Sequence, residues 1–330
     1  MSTQKQQQRI FVTGATGYIG SRFVEFALRE GYAVHGLSRS ASKAAHLRSL
    51  GVVPVSGDLT SLEVLRAEAS QADIVVHLAD AWIDDFSQPY ANVIAIDAAA
   101  VDAMVAGLAQ SASARKLFLG TSGVGVVARD KDDGETDETA PPNPSPMNGR
   151  IHCEQHILGK GGKDGISACV MRLPPFVYGR GSSGIRLFMD VFAKLGFVVR
   201  VGTGEVKTCV VHVDDAARAY VLALERACVE PGRTKDVYNV TSSTEVTFRE
   251  FTDAIAATLG LPLREMETAE AARIAGPLIA GFFSDRVRGS GGKARKELGW
   301  NPIEIGVIED IRNGSYVQVA KEIMGAATSG

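Results

Sequence analysis

Several side chains in this sequence have the types and spacing to handle a proton or a carbonyl oxygen. Thr121 and Ser122 close an apolar run. Their hydroxyls can hydrogen-bond a substrate carbonyl, although an unassisted hydroxyl is a poor acid near neutral pH. His152 and His156 stand four residues apart, on one face if the segment is helical, and histidine titrates in the useful range. That spacing also fits a metal pair, but no third ligand is apparent, so both read as surface or core residues and no metal is expected. Asp80, Asp84 and Asp85 surround Trp82, a candidate wall for the substrate. These acids read first as a solvated loop or helix cap and second as an acid group. Arg150 carries a charge that no working pH removes, so it can orient and stabilise but cannot exchange a proton.

A second kind of chemistry is written near the start. Ile10-Phe11-Val12 runs into Thr13-Gly14-Ala15-Thr16-Gly17-Tyr18-Ile19-Gly20 and then into a helical pattern. Gly14 permits a tight turn, Gly17 lets backbone amides approach a pyrophosphate, and Gly20 allows close helix packing, which puts an anion on the helix N-terminus. Thr16, Tyr18 and Ile19 lie beside that anion. The alternative is a plain strand-to-helix turn without a ligand. At the next strand-to-helix junction, about 20 residues on, such folds select their cofactor. Here the residues are Ser38-Arg39-Ser40, with Lys43 close and no acid. A guanidinium suits a 2′-phosphate, which favours NADP(H) and leaves NAD(H) possible; Arg39 stacking on adenine or facing water is the alternative.

The elements that must position these residues follow from periodicity. Short β-branched runs alternate with helical segments, the pattern of a parallel sheet wrapped by helices. Strands are expected at Arg9–Thr13, Ala33–Leu37, Val52–Ser56, Ile74–Leu78, Lys116–Thr121, Ser167–Leu173, Val210–Val213 and Val237–Val240. Helices are expected at Ile19–Glu30, Ser61–Ala69, Val93–Gln110, Asn148–Leu158 and Val213–Ala227. The fold class is α/β: a Rossmann-type doubly wound parallel sheet over residues 1–173 and 205–246, with a smaller C-terminal α/β substrate domain over 174–204 and 247–330. Arg129–Ser145, rich in Asp, Glu, Pro and Asn, suits a mobile surface loop.

Composition sets outer limits. With 330 residues, 45% hydrophobic and a net charge of -3, the chain has an ample core and no basic face, so nucleic acid is not an expected partner. Cys153, Cys169, Cys209 and Cys228 form no close pair and Met1–Gln8 lacks an apolar signal core, which points to a reduced, cytoplasmic setting. Ala271–Phe283 is apolar but shorter than the ~20 residues of a spanning helix. It reads as a buried helix or an apolar lid, and no membrane is expected.

Taken together these segments resemble the extended short-chain dehydrogenase/reductase superfamily, of the NAD-dependent epimerase/dehydratase type, along nearly the whole chain. Asp58-Leu59 resembles the pair that flanks adenine, and His77-Leu78-Ala79 the loop that passes the nicotinamide-side phosphates and ribose. Gly120-Thr121-Ser122-Gly123 resembles the catalytic serine strand, and Arg172-Leu173-Pro174-Pro175 with Val177-Tyr178-Gly179 the nicotinamide and substrate loop. Val211-His212-Val213-Asp214-Asp215 resembles a later helix start, and both acids read first as helix-capping residues that complement the helix dipole. Leu298-Gly299-Trp300-Asn301-Pro302 resembles the C-terminal signature. The family implies a Tyr-x-x-x-Lys pair on the helix after the fifth strand. Anchored on Glu154, Pro146 falls at the tyrosine position and Arg150 at the lysine position, and a one-residue shift gives Met147 and Ile151. Neither register restores the pair.

These readings together put Arg150 on the ribose, Thr121 and Ser122 on the substrate oxygen, a bound water, His152 or the substrate itself as proton source, Pro174 beside the cofactor, and Trp82, Ser122 and Tyr178 beside a small-molecule substrate. A homodimer through the Val93–Gln110 helix is implied too. The expected function is an NADP(H)-dependent oxidoreductase or epimerase/dehydratase acting on a carbonyl or secondary alcohol. Apolar Phe188–Phe197 and Ala271–Phe283 suggest a hydrophobic substrate, unless they simply fill a core. A non-redox isomerase, lyase or cyclase using the same cleft, and a non-enzymatic dinucleotide sensor, remain alternatives.

Overall fold

Strands buried on both faces read as continuous apolar runs; Ile74–His77, buried at all four positions, anchors the centre of the fold. The computed structural model describes residues 8–84, 88–230 and 232–327. Asp85 lies outside them. In chain order the strands are β1 (Arg9–Thr13), β2 (Ala33–Ser38), β3 (Val53–Ser56), β4 (Ile74–His77), β5 (Lys116–Gly123), β6 (Ile166–Leu173), β7 (Phe176–Tyr178), β8 (Val198–Val201), β9 (Lys207–His212), β10 (Lys235–Asn239), β11 (Ser243–Thr247) and β12 (Leu263–Met266). The helices are α1 (Tyr18–Arg29), α2 (Ala41–Ser49), α3 (Leu62–Ala69), α4 (Tyr90–Gln110), α5 (Arg150–Leu158), α6 (Ser183–Leu195), α7 (Val213–Arg226), α8 (Phe248–Leu259), α9 (Thr268–Ala275), α10 (Pro277–Phe282), α11 (Gly292–Leu298), α12 (Val307–Asn313) and α13 (Ser315–Ala327).

Seven strands form a parallel sheet in the order β10-β6-β5-β4-β1-β2-β3. The order reverses between β1 and β4, and a doubly wound sheet opens its ligand crevice at that point, beyond the carboxyl ends of the strands. One face packs on α1, α7 and α11, the other on α3 and α4. Close approach of α3 and α4 depends on Gly107, where a Cβ would lie 2.1 Å from the Arg66 carbonyl oxygen. α4 is also the one described helix long and apolar enough to cross a membrane, and half of its apolar window is buried within the fold.

A second core gathers around phenylalanine. Phe176, Phe188, Phe248, Phe251 and Phe283 pack at ring separations between 4.9 and 6.1 Å. Phe188, Phe192, Ile279 and Phe283 are buried there, so the two apolar stretches fill a core, and the hydrophobic-substrate argument drawn from them falls. β9 joins β7 and β11 in a three-stranded sheet rather than the main one. Its Val210 faces the second core while Val211 faces the first.

Two further expectations change. The acidic loop after β5 is tied down: Arg129 meets Asp285 at 2.8 Å, Arg286 meets Asp133 at 3.2 Å, and Thr136 bridges to Gly289 through backbone. It ends by sealing the free edge of β10, where Asn239 donates its N–H to Glu138 at 2.7 Å. Helix α5 begins at Arg150, not Asn148; the Asn148 side chain instead accepts the Arg150 N–H. Residues 146–149 are therefore not helical.

Candidate dinucleotide and substrate cleft

The phosphate end is shaped by backbone. Gly14 has φ +73°, and a Cβ on it would strike the Leu78–Ala79 peptide at 2.7–2.8 Å. Gly20 lies so close to the turn that a Cβ would come within 2.0 Å of the Gly14 carbonyl oxygen. The α1 N-terminus opens at exposed Gly17 with no side-chain cap and no acid in its first turn. A helix end with unsatisfied amides and a positive dipole fits a pyrophosphate, with Thr16, Gly17, Tyr18 and Ile19 presenting it. The Tyr18 side chain points elsewhere, donating to the Gly179 carbonyl at 2.8 Å. Leu78 and Ala79 form the opposite wall.

The selectivity end is more ordered than the sequence suggests. Ser38 is buried and donates to the Ser40 carbonyl at 3.1 Å, while Ser40 caps α2. Both serines therefore shape the turn that presents exposed Arg39. Asp58 accepts hydrogen bonds from Thr60 and Ser61, and those from Thr60 hold its carboxyl below its ordinary value. Leu59 packs on the core beside it.

Between these ends a chain of buried polar groups descends from the glycine turn. Thr13 Oγ1 takes the Ala79 N–H at 3.3 Å and meets His77 Nδ1 at 2.6 Å. His77 Nε2 meets Asp97 at 3.2 Å, and Asp97 lies 3.8 Å from Arg150, which reaches Asp80 at 3.5 Å. Burial works to raise the Asp97 carboxyl, but the His77 hydrogen bond and the Arg150 charge hold it below its usual range. Burial would lower the guanidinium pKa, and the Asp97 and Asp80 charges reverse that. Arg150 also donates to the carbonyl of Thr121. An ion group this deep persists only when each charge has partners.

At the end of β5 the two hydroxyls part. Thr121 is committed, donating to the His77 carbonyl at 2.9 Å and hydrogen-bonded to Tyr220 at 2.8 Å, and is not placed to polarise a substrate. Ser122 is 5% exposed and its Oγ finds no hydrogen-bond partner among the described residues. A buried, unsatisfied hydroxyl is disfavoured unless a ligand or water completes it. Burial pushes the Tyr90 hydroxyl up to about 12, opposed by the Arg150 guanidinium it faces.

Other candidates fall outside this group. His152 is on the exposed face of α5, and His156 is paired with Asp102 at 2.9 Å. Tyr178 is buried, its hydroxyl donating to the Ile305 carbonyl at 2.7 Å, so it packs rather than lining a cleft. Pro174 is buried at the end of β6. Trp82 packs edge-on against Tyr90, ring centroids 5.5 Å apart. Asp214 pairs with Arg22 and Arg180, and Asp215 receives the Ile303 and Glu304 N–H groups, so both acids are structural. Sequence reasoning passed over Asp97 and Tyr90. Asp97 had a signal: it is the one acid between Tyr90 and Val101 of an otherwise apolar helix. Tyr90 had none beyond opening that helix after a proline.

Comparison with known proteins agrees with this architecture. The model of the NAD dependent epimerase/dehydratase family matches residues 10–241. An uncharacterized protein of Saccharomyces cerevisiae is 32% identical over 312 residues, 92% of this chain and 98% of its own. The 4-hydroxy-2-methyl-3-oxo-4-farnesyl-3,4-dihydroquinoline-1-oxide ketoreductase of Stigmatella aurantiaca is 28% identical over 77% of this chain and 74% of its own length. Among solved structures, UDP-glucose 4-epimerase of Thermotoga maritima superposes with a TM-score of 0.72 at 21% identity, covering 96% of this chain and 99% of that one, a likeness of fold. The chain therefore belongs to the NAD dependent epimerase/dehydratase family, enzymes of the oxidoreductase and epimerase kind built around a nicotinamide dinucleotide.

Proposed function

We propose that the protein is an NADP(H)-dependent oxidoreductase acting on a carbonyl or secondary alcohol of a small organic molecule with an apolar body. The observation that carries this reading is the juxtaposition at the end of β5: an unpartnered, buried Ser122 hydroxyl one residue from the carbonyl that holds the Arg150 guanidinium. The glycine turn would hold the pyrophosphate, Arg39 the 2′-phosphate, and Arg150 the ribose hydroxyls. Bound there, the nicotinamide supplies or accepts a hydride. Ser122 donates a hydrogen bond to the substrate oxygen, and the Asp97–His77 pair keeps Arg150 aimed without exchanging a proton itself.

An apolar body is supported by exposed Met147 and by Trp82. The farnesyl-bearing ketone named for the Stigmatella relative points the same way. Nicotinamide absorbance tests the reading: NADPH should be consumed with aryl and alkyl ketones, faster than NADH. Product formed without any absorbance change would favour the isomerase, lyase or cyclase alternative. Cofactor binding without either would favour a sensor.

A further inference from the structure

Resting on that reading, the cleft still needs a side chain that can give the substrate oxygen its proton. Pro146 and Met147 have none to give, Arg150 cannot release one, and His152, though its ring lies near Tyr90 across Gly149, is exposed on α5. Tyr90 is different. It opens α4 at the same end of the sheet, half-buried, with its ring edge-on to Trp82 at 5.5 Å and an interplanar angle of 77°. On the other side it packs on Gly149, where a Cβ would come within 3.3 Å of the ring and 3.5 Å of His152. Its hydroxyl faces the Arg150 guanidinium, and Asp80, Cys153 and, across Gly149, His152 are the other ionisable groups near it. Arg150 in turn binds the carbonyl of the residue before Ser122. Phenol, guanidinium and unpartnered hydroxyl thus converge on the end of β5 from three elements, α4, α5 and β5.

We propose that Tyr90 is the catalytic acid, supplying from α4 the phenol that the α5 entry lacks. In the reduction direction the carbonyl carbon receives a hydride from the reduced nicotinamide. The Tyr90 O–H bond breaks and its proton passes to the carbonyl oxygen, giving the alcohol. The phenolate left behind is held by Arg150 until water returns a proton through the half-open side at Asp80. Reversal oxidises the alcohol, with the phenolate accepting the proton. Burial raises the Tyr90 hydroxyl to about 12, which keeps its proton in place until the substrate oxygen takes it, and the Arg150 cation opposes that rise by favouring the phenolate, an assistance that Ser122 does not receive.

The test has a readout independent of turnover. Meta-fluorotyrosine is incorporated throughout, and the Tyr90 signal is assigned by its loss in Tyr90→Phe. Fluorine NMR at neutral pH then compares the free protein with the protein saturated by NADP+ or by 2′-phospho-ADP-ribose, which lacks the nicotinamide. A Tyr90 shift with NADP+ that 2′-phospho-ADP-ribose does not reproduce supports the proposal. Equal shifts, or none, overturn it whatever the activity. In parallel, Tyr90→Phe keeps the ring contact with Trp82 and should bind NADPH as wild type does, yet reduce acetophenone and cyclohexanone about 100-fold more slowly or worse. Wild-type rates in Tyr90→Phe overturn the assignment and leave the redox reading standing. A wild-type protein that binds NADPH but reduces neither ketone counts against the redox reading, and the fluorine comparison alone then decides whether Tyr90 faces the nicotinamide.

Discussion

The two ends of the crevice are encoded in opposite ways. At the phosphate end the site is seven consecutive residues, Gly14–Gly20, and its properties belong to the backbone: one left-handed turn, two close approaches and a helix N-terminus without a cap. At the proton end the site draws on His77, Asp80, Tyr90, Asp97, Ser122 and Arg150, from β4, α4, β5, α5 and the loop after β4. Backbone constraints leave a local signature because few residues satisfy them. A side-chain constellation leaves none, since each member satisfies its local element equally well without the others. Local sites are therefore legible from spacing, and assembled ones only from the fold.

The largest expected effect probes the local site. Gly17→Val puts a branched side chain where the pyrophosphate must approach. Losing two charge-assisted hydrogen bonds at roughly 1.5–3 kcal/mol each weakens binding about 100-fold or more. Gly17 has φ -75°, which valine adopts, so circular dichroism should show a folded protein. Titration calorimetry with NADPH checks the loss, and retained activity without cofactor binding would remove the redox mechanism.

The assembled site should fail differently, through stability as well as binding. Arg150→Ala leaves Asp97 buried beside an empty position, and breaking a buried pair costs about 3–5 kcal/mol. Arg150→Ala with Asp97→Asn should recover part of that, because no buried charge is then unpaired. Chemical denaturation of the four proteins in the cycle measures the coupling, and simple additivity would mean that the two groups do not interact. A pH signature accompanies it. The folded-state pKa of Asp97 is depressed, so its contribution is complete above the unfolded value, near 3.9, and is lost as pH falls through the folded value. Asp97→Asn should flatten the acid limb of the stability profile below about pH 4.

These contrasts also explain what the sequence allowed. Eight strands and five helices could be placed because parallel strands and amphipathic helices have different periods. β7, β8, β11 and β12 could not: β1, β3, β4 and β10 are as short, but they belong to the seven-stranded parallel sheet, whose alternation of strand and helix marks them, and the other four lie outside it. Thr121 and Ser122 looked interchangeable in sequence, yet strand alternation turns Thr121 toward Tyr220 and leaves Ser122 without a partner. The loop at 129–145 looked mobile because its composition is polar; the partners of its Arg129 and Asp133 lie more than 150 residues away in the chain.

A smaller effect lies at the selectivity turn. The Arg39 fork should make NADPH bind more tightly than NADH, since a hydrogen bond to a charged group contributes roughly 1.5–3 kcal/mol, about tenfold or more in affinity. Arg39→Asp should reverse the order by repelling the 2′-phosphate and accepting from a ribose hydroxyl. Fluorescence titration of both cofactors decides it, and a wild-type preference for NADH would refute the assignment.

The smallest expected effect comes from rebuilding the missing dyad, and it separates sequence reasoning from structure most sharply. Four-residue spacing brings two side chains onto one face only inside a helix. Arg150 is the first residue of α5, and Gly149 before it takes a non-helical ψ of 20°. Pro146→Tyr with Arg150→Lys therefore separates the pair by a bend instead of a turn of helix. The exchange also replaces a planar guanidinium, which engages the Thr121 carbonyl, Asp80 and Asp97 together, by a single ammonium that lacks the fork. No gain in ketone reduction is expected over Arg150→Lys alone. Melting temperature should fall in both variants by the same amount, because the lost contacts belong to position 150. A rate recovered by the tyrosine would show that residues 146–149 can wind into α5 when a cofactor binds, and the proton would then have a second route.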